Sequence, residues 1–210
     1  ILKYQGDDIE VVVSDNCSID NTLEELNKIN DKRLKVYTNN SNLGFERNVF
    51  KCFENANGEY CFYLNDREIV YIKKIKDLIN LLYKTNYDLI LTSVKNIDKT
   101  SVKRKIKEII KSVYYRNNLI HSYIYYEKSF YQKTTTLKKI FDRGHPTGIV
   151  VRKETINFKN LYENYTFGTL YPHVFLMLQV YNKNENVFFS KKFYSATMTN
   201  PYGSHTIQES

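Results

Sequence analysis

Gly58-Glu59-Tyr60-Cys61-Phe62-Tyr63-Leu64-Asn65-Asp66-Arg67-Glu68 is the stretch on which the reading of this sequence turns. A short apolar run ends abruptly in acidic and polar residues. A glycine-led apolar run of this length suits a strand buried on both faces of a parallel sheet. Charged groups just beyond the carboxyl end of such a strand stand where open α/β sheets bind their ligands. Asp66 and Glu68 are two apart, so an extended backbone points both carboxylates to one side. Converging carboxylates repel unless a proton or cation lies between them. Hard oxygen donors of this kind suit magnesium or manganese shared with a substrate phosphate. The plainer alternative is a solvated turn after a core strand, and the surrounding chain has to decide between the two.

Upstream, Ile9-Glu10-Val11-Val12-Val13-Ser14 is β-branched and bounded by Gly6-Asp7-Asp8 and Asp15-Asn16, which predicts a buried strand. Thr22-Leu23-Glu24-Glu25 has the capping-box pattern and predicts a helix to about Asn30. Leu34-Lys35-Val36-Tyr37-Thr38 reads as a second strand, followed by an asparagine-rich turn. The next helix presents Phe45, Val49, Phe53 and Ala56 on one face and stops at Gly58. An amphipathic helix over 71–84 and an apolar strand over 88–94 complete an alternation that predicts a parallel, doubly wound sheet. Ile1-Leu2-Lys3-Tyr4-Gln5 looks like the tail of a helix, as if a first strand and helix preceded it. Later elements are a short strand at Ile149-Val150-Val151, a helix over 172–181, and strands over 186–190 and 193–196.

The 210 residues suit one domain with an appendage, and 42% hydrophobic content is enough for a core. No apolar run is long enough to span a bilayer, and no secretory signal opens the chain. Cys17, Cys52 and Cys61 lack metal-ligand spacing and read as small buried thiols in a reducing compartment. Of the net charge of +8, residues 99–140 carry more than all, with eleven Lys or Arg against two Glu. That basic, tyrosine-rich segment predicts contact with an anionic surface, against the plain alternative of a solvated helical face. No recognised RNA- or DNA-binding motif is present, so nucleic acid is not an expected partner.

Two further constellations flank the opening stretch. Ser14-Asp15-Asn16-Cys17-Ser18-Ile19-Asp20-Asn21-Thr22 joins a strand end to a helix start. There a carboxylate can accept from a base or ribose, and the helix N-terminus tolerates anions. Asn42-Leu43-Gly44-Phe45-Glu46-Arg47-Asn48 places Arg47 on the first turn of a helix, where it can pair with phosphate, stack on a base or hold an acidic group. In this order the segments resemble the inverting GT-A glycosyltransferases of family 2, which use nucleotide sugars and build bacterial surface polysaccharides. That family's strand-Asp-Asn/Asp-Gly-Ser-x-Asp-x-Thr run is matched by residues 14–22. Its Asn-x-Gly…Arg-Asn…Ala-x-Gly-Glu-Tyr run is matched by Asn42, Gly44, Arg47, Asn48, Ala56, Gly58, Glu59 and Tyr60, and its acidic metal motif by Asp66-Arg67-Glu68.

The resemblance covers roughly residues 1–95 and implies an α/β fold of the GT-A type, with a mostly parallel sheet flanked by helices and a basic helical insertion. Residues 1–98 would form the nucleotide-sugar-binding half, 99–140 the insertion, and 141–210 the acceptor-side half and tail. It implies transfer with inversion from a nucleotide-diphosphate sugar, a UDP-sugar by expectation, to a glycan or lipid-linked acceptor. Asp15, Asn16, Asn42, Arg47 and Asp66 would hold the donor, and Asp66 and Glu68 a divalent metal, Mn2+ or Mg2+. Three departures stand out: the family's first strand is missing, Arg67 puts a cation inside the metal motif, and the Glu-Asp pair before the late helix is replaced by Leu170-Tyr171-Pro172-His173. Candidates for the general base are His173, Glu163 and Asp142, with His173 preferred because it follows a Tyr-Pro turn at a helix start; His145 would line the acceptor side. A cytoplasmic protein touching the inner face of the membrane through 99–140 is the matching location, with a homo-oligomer interface as the other use of those tyrosines. The alternative to an enzyme is a catalytically weak, transferase-like binding or scaffold subunit.

Overall fold

The computed structural model describes residues 1–66, 68–97, 138, 140, 147–165, 167–168, 171–184 and 186–198. The insertion (but for two residues), Arg67, Asp142, His145 and the C-terminal tail with His205 lie outside the described residues. In chain order the elements are β1 (Val11–Asp15), α1 (Thr22–Asn27), β2 (Leu34–Thr38), α2 (Gly44–Asn55), β3 (Tyr60–Phe62), β4 (Glu68–Val70), α3 (Ile72–Lys84), β5 (Leu89–Ile97), β6 (Ile149–Arg152), α4 (Phe158–Asn164), α5 (Pro172–Asn184) and β7 (Val187–Met198).

The strands form two sheets. β1 and β2 pair in parallel, while a five-stranded sheet has the order β3-β6-β5-β7-β4. The α/β class stands, but β3 is not an interior strand of a parallel sheet. It lies at a sheet edge and runs antiparallel to β6, with Tyr60 opposite Arg152 and Phe62 opposite Val150. A three-residue apolar run carries no information about the direction of a partner so far downstream. The late strands are likewise one: β7 runs unbroken from 187 to 198, parallel to β5, with register shifts around Ser93 that bend the pair.

The helices follow their apolar stripes with instructive exceptions. α3 buries Ile75 and Leu78 as its periodicity predicts. On α2 the inward face is Glu46, Val49, Phe50 and Phe53, and Phe45 is 46% exposed. The helix is therefore rotated from the expected face, because the Glu46 carboxylate finds buried hydrogen-bond donors. α1 has Thr22 inside the helix and no side-chain cap, so the capping box is not formed. α2 ends at Asn55 rather than at Gly58. The Gly58 N–H instead donates to Glu10, and a Cβ there would press on the Tyr60 carbonyl at 3.2 Å. Residues 1–5 form a turn, not a helix tail, and Arg33 holds them by donating to the carbonyls of Leu2, Tyr4 and Gly6.

The main core packs α2, α4 and α5 on one side of β3, β6 and β5, with Phe50, Leu89, Ile149, Val151, Leu161 and Met177 nearly inaccessible. A second cluster on the other side joins Leu78 of α3 to Ile90, Val150 and Tyr194. No helix among the described residues is long and apolar enough to cross a membrane.

Candidate functional site

Cross-element hydrogen bonds fix which end of the sheet receives the polar residues. Asn48 donates to the Ser14 carbonyl, Cys52 reaches the Val12 carbonyl at 3.7 Å, and Glu10 accepts from the backbone of Asn57 and Gly58. Thus α2 runs antiparallel to β1, and its first turn lies at the carboxyl end of that strand. Phe53, further along α2, stacks on Tyr63 just past the end of β3, with ring centroids 5.6 Å apart.

At the end of β1, Asp15 is 4% exposed and accepts from the backbone N–H of Ser18 at 3.2 Å and from its hydroxyl. This is the Asx-type turn that closes the 15–18 loop, and it holds the carboxylate in one orientation. Behind it, side chains lock the two strand ends to α2. Ser14 and Asn39 donate to Asn48 at 2.7 and 2.9 Å, and Asn39 also donates to Asn16 at 3.2 Å. Asn16 donates to Asn42 at 2.7 Å, and Asn42 accepts the Gly44 N–H at 2.9 Å. Asn16 and Asn42, both named from sequence as donor-binding candidates, are thereby hydrogen-bonded to each other in this loop. The exposed thiol of Cys17 sits on a backbone with φ of 64°, so it is neither buried nor relaxed.

The acidic motif lies on a crossing. Residues 63–66 leave β3 at one edge of the five-stranded sheet and β4 lies at the other, so Asp66 lies on the crossing and Glu68 opens β4. Asp66 is exposed and makes no hydrogen bond or ion pair among the described residues. Glu68 is half-buried and accepts the hydroxyl of Thr147 at 2.7 Å. Thr147 also accepts from Asn65 at 3.5 Å, and Asn65 accepts from the Tyr63 hydroxyl at 3.0 Å. Burial pushes the Tyr63 hydroxyl pKa well up, with Cys52, Asp66 and Glu68 adding to the rise, so the group stays protonated and donates. Thr147, fully buried before β6, was missed from sequence. A small polar residue between Pro146 and Gly148 at the mouth of a buried strand was the available signal.

The third part couples α2 to the late chain. Glu46, 7% exposed, accepts the Tyr165 hydroxyl at 2.7 Å and the Gly168 N–H at 2.6 Å. Arg47 is exposed, and its guanidinium lies 3.8 Å from the centroid of the Phe167 ring. Just beyond, His173 is buried at the start of α5, its ring 6.0 Å from that of Tyr171. Glu163 is 59% exposed on α4 and faces Lys159 at 3.8 Å, so it stands apart from this buried cluster.

The chain belongs to glycosyl transferase family 2, whose family model matches residues 1–165. It is 27% identical over 183 residues to the abequosyltransferase RfbV of Salmonella typhimurium, covering 83% of this chain and 52% of that protein. It is 30% identical over 138 residues to the poly(ribitol-phosphate) beta-N-acetylglucosaminyltransferase TarS of Staphylococcus aureus, covering 62% of this chain and 23% of that one. The chain thus spans about half the length of the first relative and under a quarter of the second. Among solved structures, TarS 1-349 in complex with UDP-GlcNAc superimposes with a TM-score of 0.64 at 18% identity, over 96% of this chain and 52% of that one. At that identity the likeness carries the fold, and the fold is the GT-A type.

Proposed function

We propose that this chain is the donor-binding part of a glycosyltransferase that moves a sugar from a nucleoside diphosphate, UDP by preference, to a glycan or lipid-linked acceptor in surface glycan synthesis, with inversion at the anomeric carbon. One observation carries the reading: in a chain of this family, Asp15 ends β1, Arg47 lies in the first turn of α2 beside it, Asp66 lies on the crossing that leaves β3, and Glu68 opens β4. The relatives named above for glycosyl transfer, and the UDP-GlcNAc held by TarS, support it.

The residues divide the work by chemistry. Asp15, held by Ser18, offers a fixed acceptor to a base N–H or ribose hydroxyl. Asp66 and Glu68 fit a divalent cation in the way magnesium and manganese are usually held, by one or two carboxylates with phosphate oxygens completing the shell. Among the described residues no cluster of three or more acidic, histidine or cysteine groups competes for it. Such a cation supplies positive charge beside the departing diphosphate. Arg47 adds a second cation from the α2 side.

In the reaction the bond from the anomeric carbon to the acceptor oxygen forms as the bond to the diphosphate oxygen breaks. The acceptor proton passes to a base on the protein. Of the described candidates, His173 adjoins the loop anchored on α2, whereas Glu163 is solvent-facing and ion-paired. We therefore assign the proton to His173, buried at the start of α5 beside the exposed ring of Tyr171. The basic segment 99–140 is the natural acceptor-side surface by its charge.

The test is hydrolysis or transfer from UDP-sugars with manganese. Turnover that falls on Asp66→Ala and on Glu68→Ala supports the enzyme. Absence of turnover with donor binding intact supports the scaffold alternative instead.

A further inference from the structure

We propose that Glu46 and Phe167 are positioning residues for the donor: Glu46 pins the turn at 165–168, and the Phe167 ring held there sets the Arg47 guanidinium to meet the terminal phosphate of a nucleoside diphosphate. The proposal rests on the donor-binding reading above. Glu46 and Arg47 are neighbours on α2, and consecutive helical residues diverge by about 100°. One therefore points into the protein and the other out, yet both engage the same turn of the late chain.

The inward contact is a double anchor. The two oxygens of Glu46 take the Tyr165 hydroxyl and the Gly168 N–H, one at each end of the turn. Gly168 adopts φ of 96°, a conformation open to glycine, and a side chain there would meet no other atom within 4 Å. The residue is thus required for the direction of its N–H rather than for space. Tyr165 is wedged edge-on against Phe50, Phe167 and Phe175, with centroids 5.2, 5.2 and 5.4 Å away. Phe167 therefore has little freedom to move.

The outward contact explains why an aromatic ring is used. An exposed arginine gives up rotamer freedom when it grips a ligand, which weakens binding. A carboxylate partner would order it but would also neutralise it, and phosphate would then have to displace that partner. A ring face orders the cation through its quadrupole and leaves the edge N–H groups unspent. Among the described residues Arg47 has no carboxylate partner, so its charge is available to an anion.

The test is calorimetric titration of the chain with UDP, CDP, GDP and dTDP in manganese, each paired with its monophosphate. Phe167→Leu should weaken the tightest diphosphate about fivefold while changing the monophosphate by less than about twofold, and Phe167→Tyr should restore it. Arg47→Ala should cost about tenfold or more for the diphosphate, and adding Phe167→Leu to it should cost nothing further. Glu46→Gln should reproduce the Phe167→Leu pattern; if it lowers the melting temperature instead, the Phe167 variants still decide. Equal losses for mono- and diphosphate, or additive losses in the double variant, would overturn the positioning role. A wild-type chain that binds none of the diphosphates overturns the donor-binding reading itself, a different result from wild-type binding that the variants leave unchanged.

Discussion

The two ends of β6 contrast sharply. At one end Arg152, 10% exposed in its side chain, is surrounded by partners: Asp88 at 3.3 Å, Glu59, the Tyr60 hydroxyl and the Asn86 side-chain amide oxygen. Lys153, next to it, donates to the carbonyls of Glu54 and Ala56. At the other end Thr147, five residues before Arg152, holds Glu68; Asp66 on the crossing and Arg47 on α2 meet no opposite charge among the described residues. One end spends its charges on holding the chain together, while at the other two charges have no opposite partner among the described residues. Buried cations tolerate low dielectric only when fully partnered, whereas unpartnered charges persist only where water or a ligand reaches them. Charge at a strand end is therefore not in itself a mark of function.

The largest expected effect tests the closed end. Arg152→Ala removes the buried guanidinium that ties together Asp88, Glu59, Tyr60 and Asn86 and should cost about 3–5 kcal/mol in denaturant unfolding. Asp66→Ala should leave unfolding within about 0.5 kcal/mol. If Asp66→Ala destabilises as much as Arg152→Ala does, the contrast between the ends is false. Next in size, Asp66→Ala should lower transfer by about a hundredfold or more, roughly 3 kcal/mol of barrier, while Arg152→Lys, assayed under conditions where it is folded, should change the rate little.

Backbone strain sharpens the same contrast. Among the described residues Cys17 alone, of the non-glycine residues, has positive φ, and it lies at the open end. Cys17→Gly should raise stability by about 1 kcal/mol in thermal unfolding, provided the loop keeps its shape. The smallest effect is remote from both ends. Hydrogen bonds from Arg33 hold the Asp31 carboxyl down to about 2. A depressed carboxyl stabilises at pH above its ordinary value and loses that contribution as pH falls toward about 2. The melting-temperature gap between the chain and Asp31→Asn should therefore be present near neutrality and close by about pH 2.

The legible parts of this fold were those encoded locally. β2 and α3 fall close to where their patterns put them, because a branched apolar run and a 3.6-residue stripe are properties of a few adjacent residues. Asp15, Arg47, Asp66 and Glu68 stood out in the sequence because each stands beside an element boundary. The direction of β3 was not, since its partner is set by a segment some 90 residues later. Glu46 was hidden for the same reason: a glutamate on a helix face reads as exposed until Tyr165 and Gly168, more than a hundred residues on, are brought to it.

That separation in sequence also sets a timetable. β1, β2 and α2 draw on the first fifty-five residues and can associate as soon as they leave the ribosome. The Tyr60–Arg152 pairing spans 92 residues, a wait of about 5–20 s at ordinary rates of synthesis. For that interval the first half of the chain would carry a bare apolar edge, Tyr60 to Phe62, and an acidic crossing with no β4 ladder to receive it. A nascent chain of this kind has something to gain from a chaperone at that stage, and pauses in translation between residues 62 and 149 would lengthen its exposure.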